Sequence, residues 1–258
     1  MFGFLRNSRR QKLRARPCPA GWLAVLAERV PHFPLLPSGD QQELAGHLQV
    51  LLAEKQFEGR GGLTVTEEMR VTVAGQAALL LLHRETGYFA GLSSIILYPD
   101  EYRAPVWESD EVGIVTEGID RRVGEFHPAG ALVLSWRDIL AAGQPGEDDY
   151  NVIIHEFTHY LDAEDGISTA LMEGDDWSRL PRRLAVLRRE FEQLQEDVAA
   201  GRETLLDPYG AEHPAEFIAV ATECFFGLPR LLYDYHGELY AVLRDYYRQD
   251  PAIWELLG

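Results

Sequence analysis

One apolar segment near the middle of the chain carries two histidines and a glutamate. Five of its side chains are strongly apolar and predict a buried helix: Val152, Ile153, Ile154, Phe157 and Leu161. Helical residues four apart lie about 40° apart around the axis, so His155 and His159 can present two imidazole nitrogens to one ion. Glu156 lies about 100° round the helix, which suits a base acting on an ion-bound water. Two ligands and one base indicate a zinc peptidase. The alternative is a pair of hydrogen-bonded histidines on a buried helix face.

A catalytic zinc ion needs a third protein ligand and one open position. The extended pattern H-E-x-x-H-x-x-G-x-x-H fails, because Asp162 stands in place of the glycine and Asp165 in place of the third histidine. Asp165 is therefore a weak candidate ligand. Asp162 is interpreted either as the acceptor for a ligand's second ring nitrogen or as a helix-end residue.

A second segment, residues 214–226, starts with proline and has an almost wholly apolar body. Glu216 and Glu223 stand seven residues apart and share one face of the predicted helix. A buried carboxylate needs a strong partner, and both a metal ion and an arginine would serve. This reasoning proposes a third ligand from this helix but leaves open which glutamate supplies it.

The segments 154–162 and 207–226 resemble the Mlc titration factor A family of bacterial metallopeptidases, whose catalytic core is related to the anthrax lethal factor protease. A looser resemblance covers roughly residues 35–250. The family resemblance implies one zinc ion per chain on His155, His159 and Glu216, with Glu156 as the general base. It also implies that Tyr209 donates a hydrogen bond to the tetrahedral oxyanion. Glu223 then becomes a supporting or structural residue.

The resemblance further implies a zincin-like fold and aminopeptidase activity on short peptide substrates. In enteric bacteria it implies binding to the glucose repressor Mlc, so a repressor of that type is a candidate partner here. The alternative is a non-catalytic partner-binding regulator with a vestigial zinc site. One departure concerns a histidine that caps the metal in some members, because Thr116 occupies that place here.

The remaining patterns predict an α+β fold. Helices are expected at 21–30, 38–55 and 67–83, and strands at 57–65, 92–98, 112–116 and 131–135, followed by a short helix at 136–142, a loop at 143–149 and a largely helical C-terminal half. This is a small sheet in the middle of the chain rather than a repeating βαβ pattern. Residues 1–20 are predicted to be a flexible, irregular basic arm, and residues 21–258 a single domain.

The composition of the chain bears on its class of function and on its location in the cell. A net charge of −17 argues against a nucleic-acid-binding protein. Only two cysteines occur, which favours a reducing compartment and a cytoplasmic location. No apolar run approaches the length of a membrane span. The six basic residues within positions 1–16 are interpreted as part of a mobile terminus, with contact to an acidic partner or a membrane surface as the alternative.

Overall fold

The computed structural model describes residues 2–100, 102–109, 115–122, 124–127, 130–142, 150–173 and 181–256. Residues 2–4, the strands between 102 and 127, and residues 173, 255 and 256 are described by their backbone alone.

Four helices and one strand form the first part of the chain, strands dominate the middle, and helices dominate the last part. The first part contains α1 (Phe2–Arg14), α2 (Ala20–Arg29), α3 (Ser38–Glu54), β1 (Gln56–Gly59) and α4 (Glu67–Leu79). Five strands follow: β2 (Ser94–Tyr98), β3 (Tyr102–Ser109), β4 (Val115–Arg122), β5 (Gly124–His127) and β6 (Ala131–Ser135). The rest comprises α5 (Trp136–Ala141), α6 (Val152–Asp165), α7 (Ile167–Glu173), α8 (Arg182–Ala199), α9 (Pro214–Gly227), α10 (Pro229–Tyr235) and α11 (Gly237–Tyr247). Short 3-10 turns occur at Phe33–Leu35, Pro208–Ala211 and Pro251–Leu256.

The main sheet has the order β1-β2-β6-β5. Its first three strands are parallel, and β5 pairs antiparallel with β6 at the edge. Strands β3 and β4 form a separate antiparallel hairpin. The α+β class, the small sheet in mid-chain and the helical C-terminal half are therefore confirmed.

Most of the predicted elements occur within a few residues of their expected bounds. The strand expected at 57–65 is shorter and lies at 56–59, and the strand expected at 112–116 falls partly in β4. Residues 110–114 and 143–149 lie outside the described residues. The β3–β4 hairpin was not expected.

The prediction of an irregular N-terminal arm is wrong for residues 2–14, which form α1. No apolar repeat marks this segment, and an ion pair anchors it to α3. The guanidinium of buried Arg10 donates two hydrogen bonds to the carboxylate of Glu54, at 2.9 and 2.7 Å, and a third to the carbonyl of Gly87. Arg14 pairs with Glu43 on α3. The single domain over residues 21–258 stays a prediction.

Helix α6 is fixed at both ends and to the sheet. The Asn151 side chain accepts hydrogen bonds from the amides of Ile153 and Ile154, each at 3.1 Å, and so caps its N-terminus. Gly166 ends the helix with a φ of 68°, a left-handed conformation that glycine tolerates well. The hydroxyl of Tyr160 donates to the carbonyl of Ala131 in β6. These contacts hold the helix that carries the two histidines.

In the part of the chain that the structure describes, no helix has both the length and the apolar character needed to cross a membrane.

Gly130, which precedes β6, is expected to tolerate no side chain. Its φ is +78°, and an added Cβ would lie 2.6 Å from the carbonyl oxygen of Gly91. Gly130→Ala should therefore lower the free energy of unfolding by about 2–4 kcal/mol, from left-handed strain plus the backbone clash.

Gly62→Ala is the matched control, because Gly62 has a φ of +83° and no neighbour within 4 Å of an added Cβ. It should cost only the strain, about 1 kcal/mol. Urea unfolding of both variants measures the difference. Equal losses would show that the contact with Gly91 does not constrain this turn.

Candidate metal centre

Helices α6 and α9 bring together the three ligands expected from the sequence. His155 Nε2 lies 3.0 Å from Glu216 Oε2, and His159 Nε2 lies 3.5 Å from the same oxygen. One ligand atom from each of the three residues lies within 4.8 Å of the others. His155 is buried and the other two are partly buried.

This donor set fits a divalent metal ion. Two imidazole nitrogens and one carboxylate oxygen converge on one point, which is the set that a catalytic zinc site with an open position uses. Glu216 directs one oxygen towards both histidines, as a carboxylate does when all three groups share a cation.

The carboxylates of the cluster favour positive charge on His155. Burial alone would lower the pKa of His155, but hydrogen bonds to Glu216 and Glu223 raise it to about 10. Burial also favours the neutral acid of Glu216, yet hydrogen bonds from His155 and His159 keep the pKa of that carboxyl well below its usual range. Two carboxylates thus stabilise a proton on His155, in the place where a metal ion would supply the positive charge.

Glu223 fixes the orientation of His155 from behind. His155 Nδ1 lies 2.6 Å from Glu223 Oε1, and the backbone amide of Asn151 donates to Glu223 Oε2 at 2.5 Å. Glu223 is only 4% exposed. With Nδ1 donating to this carboxylate, Nε2 is the nitrogen turned towards Glu216, as in metal sites where a carboxylate sets the histidine tautomer. The structure thus distinguishes the two glutamates that sequence reasoning left equivalent.

Glu156 lies beside the ligand cluster without belonging to it. Its carboxyl is buried, and its Oε2 atom has no hydrogen-bond partner among the described residues. Burial raises the pKa of this carboxyl. A buried, incompletely bonded carboxyl next to a cation site is suited to take and return a proton.

Two tyrosines flank the His155 ring. Tyr209 stands on the turn Pro208–Ala211, where the Asp207 side chain accepts from its amide at 2.8 Å, and its ring centroid lies 6.2 Å from that of His155. Tyr150 lies at 6.3 Å. Burial, followed by the negative charges of Glu223 and Glu156, raises the pKa of Tyr150, which keeps the phenol protonated. Sequence reasoning missed Tyr150, because only its place next to the helix cap marks it.

The model of one protein family, described as "Glucose-regulated metallo-peptidase M90", matches residues 5–248. The chain belongs to the M90 metallopeptidase family. The resemblance inferred from the two helical motifs is therefore confirmed.

Relatives of this M90 chain align over nearly its whole length. The uncharacterized protein slr2042 of Synechocystis sp. is 35% identical over 246 residues, covering 95% of this chain and 90% of the relative. Mlc titration factor A of Edwardsiella ictaluri is 31% identical and covers 86% of this chain and 85% of its own length. Mlc titration factor A of Serratia proteamaculans is 30% identical, with 90% and 88% covered.

The weaker candidates have other roles in the M90 chain. Asp162 accepts hydrogen bonds from the amide and hydroxyl of Ser168, at the start of α7, which is the helix-end role. Asp165 accepts from Arg84 and Tyr246.

A second group of possible ligands was not expected from the sequence. Asp40, Glu43 and His83 offer atoms within 4.8 Å of one another. Glu43 also pairs with Arg14, whose charge already neutralises this carboxylate, and lies 3.3 Å from the His47 ring nitrogen. No role is assigned to the group.

Glu223→Gln is expected to weaken metal binding by about 10- to 100-fold. The glutamine side chain is neutral and has one acceptor oxygen, so it cannot accept hydrogen bonds from both His155 and Asn151 as the two carboxylate oxygens do. Competition with a chromogenic chelator measures the affinity. Asp162→Asn is the control, since it removes a buried carboxylate on α6 whose hydrogen bonds go to Ser168 and not to either histidine. Equal losses in both variants would contradict the orienting role.

Metal binding is also expected to release about one proton per ion at neutral pH. His155 has a pKa of about 10 in the folded protein, so its proton must leave before Nε2 can ligate. Apparent affinity should rise about tenfold per pH unit below that value. Calorimetric titrations in buffers of different ionisation enthalpy measure the released proton. Binding heats that are equal in all buffers would contradict the charged state of His155.

Proposed function

We propose that this chain is a zinc-dependent peptidase of the aminopeptidase type. One zinc ion is held by His155, His159 and Glu216, Glu156 is the general base, and Tyr209 stabilises the oxyanion. The observation that carries the proposal is the convergence of the three ligand atoms beside the buried, incompletely bonded carboxyl of Glu156.

Each side chain then has one task in peptide hydrolysis. When bound, the zinc ion would acidify a water molecule and polarise the scissile carbonyl. Glu156 accepts the proton of the attacking water and delivers it to the leaving amine. The Tyr209 hydroxyl donates a hydrogen bond to the oxygen on which negative charge develops. Glu223 holds His155 in the ligating tautomer.

Two features support a catalytic site over a structural one. A structural zinc site is closed by four protein ligands, whereas the described residues of this cluster supply three. A structural site also has no use for Glu156, a buried carboxyl whose raised pKa reflects the cost of burying its charged form.

Charge supports the preference for a free N-terminus. With the proposed zinc ion bound, the three carboxylates Glu156, Glu216 and Glu223 still outnumber the charges of the ion by about one, in a chain whose net charge is −17. A field of this sign attracts the ammonium group of a peptide and repels its terminal carboxylate. Short peptides with an unblocked amine are therefore the proposed substrates.

The names of two relatives support a regulatory partner. Both are called Mlc titration factor A, so a transcriptional repressor of the Mlc type is the proposed protein partner. A partner-binding regulator without catalysis is the alternative function. A cytoplasmic location belongs to the proposal as well, and is supported by Cys18 and Cys224, which form no disulfide.

The test compares hydrolysis of N-terminally free and N-terminally blocked chromogenic peptides, with the zinc content of each sample determined. Glu156→Gln should retain zinc and lose about 10²- to 10⁴-fold in kcat, and Tyr209→Phe should lose about 10²- to 10³-fold. Glu196→Gln, on the exposed surface of α8, is the matched control and should behave as the wild type.

Preference for the free-amine substrates would support an aminopeptidase, and equal cleavage of blocked peptides would point to an endopeptidase. A folded, zinc-loaded wild type that cleaves neither class would contradict catalysis and favour the partner-binding alternative.

A further inference from the structure

The outer face of α1 is basic and apolar. Leu5, Arg9 and Lys12 are spaced four and three residues apart, which places them within roughly 60° around the helix axis. All three are exposed, Leu5 by 62%, and exposed Arg16 follows just beyond the end of the helix. Within the described part of the chain, no ion pair involves the two cations of this face, Arg6 or Arg16.

The inner face of the same helix is fully engaged. Arg10 binds Glu54 with two hydrogen bonds and stacks over the Tyr88 ring at 4.5 Å, and Leu13 packs against the core. Gly46 on α3 permits close approach, since an added Cβ would lie 3.3 Å from Arg14 Cβ. The helix is therefore held in place, and its unpaired cations form a fixed surface.

This basic surface is set against an acidic body. The first 16 residues contain six basic residues and no acidic one in a chain of net charge −17, so the remainder carries −23. Such a separation gives the molecule an electrostatic axis, with α1 at the positive end. An anionic surface would therefore meet α1 first and repel the rest of the chain.

A shallow recess adds a place for an anionic group. It measures about 500 Å³, lies between α1 and the end of α3, and is lined by Leu5, Arg6, Arg9, Ala53 and Glu54. The carboxylate of Glu54 is neutralised by Arg10, so the two remaining arginines set the sign of the recess. Apolar Leu5 beside two arginines matches a phospholipid, whose phosphate adjoins an acyl region.

We propose that α1 docks this protein on the surface of an anionic phospholipid bilayer. The cations of the outer face lie against the phosphate groups, and Leu5 enters the acyl boundary. The chain before Leu5 is apolar and aromatic in sequence, with Phe2 and Phe4, which favours a bilayer over a nucleic acid. Basic residues next to an apolar group are the two signals that peripheral membrane attachment needs. The proposal is independent of the peptidase reaction.

The test is sedimentation of the full-length protein with vesicles of phosphatidylcholine alone or mixed with phosphatidylglycerol. The wild type should bind the mixed vesicles only, and high salt should release it. The triple variant Arg9→Gln, Lys12→Gln, Arg16→Gln should bind at least about tenfold more weakly. Leu5→Ser should also weaken binding to the mixed vesicles at low salt, because it removes the apolar contact with the acyl boundary.

The matched control is Arg182→Gln, Arg183→Gln, Arg230→Gln, which removes the same charge from exposed positions elsewhere. It should bind like the wild type. Circular dichroism and metal content of all variants show whether α1 and the metal site are intact, and hydrolysis of a soluble peptide should be the same in both triple variants.

Three results would overturn the proposal. They are equal binding to neutral and anionic vesicles, an equal loss in both triple variants, and wild-type binding to duplex DNA but not to vesicles. The last result would assign the basic face to a nucleic acid. None of them bears on whether Glu156 catalyses hydrolysis, so a failure of this proposal and a failure of the peptidase proposal remain distinguishable.

Discussion

The bridge made by Glu223 joins the two helices that form the metal centre. One oxygen accepts from His155 and the other from the amide of Asn151, so a single carboxylate sets the orientation of a ligand and ties the start of α6 to α9. A carboxylate buried this deeply would be strongly unfavourable without both partners. Because Nδ1 of His155 donates to Glu223, Nε2 is the nitrogen that faces Glu216.

The site also shows how a fold balances a cluster of buried charge. Glu216 and Glu223 lie on either side of His155, whose raised pKa places a proton between them. A metal ion held by these residues would supply that positive charge once the proton leaves. Glu156 is outside this balance, with one oxygen that lacks a partner among the described residues. The carboxyl oxygen that lacks a hydrogen-bond partner among the described residues thus belongs to Glu156, the residue proposed to move protons.

Much of this arrangement could be predicted from the sequence, because its signals are local. Four-residue spacing put His155 and His159 on one face, and an apolar helix with two glutamates pointed to the partner element. The wrong prediction, an irregular N-terminal arm, concerned a contact between residues that are distant in the sequence. Helix α1 is held by Arg10 and Glu54, 44 residues apart, and a segment without apolar periodicity gives no sign of such a contact. The hairpin β3–β4 and Tyr150 were missed for related reasons, since neither has a pattern that differs from an ordinary strand or loop. Choosing between Glu216 and Glu223 required either the family resemblance or the structure.

The separation of the ligands along the chain has a consequence for biosynthesis. Glu216 is 61 residues downstream of His155, and Glu223 is 68 residues downstream. A growing polypeptide therefore exposes both histidines well before either carboxylate has been made. Neither the ligand set nor the support for its tautomer exists until α9 has been synthesised and has packed against α6. An unfinished chain therefore lacks the site at which the proposed hydrolysis would take place.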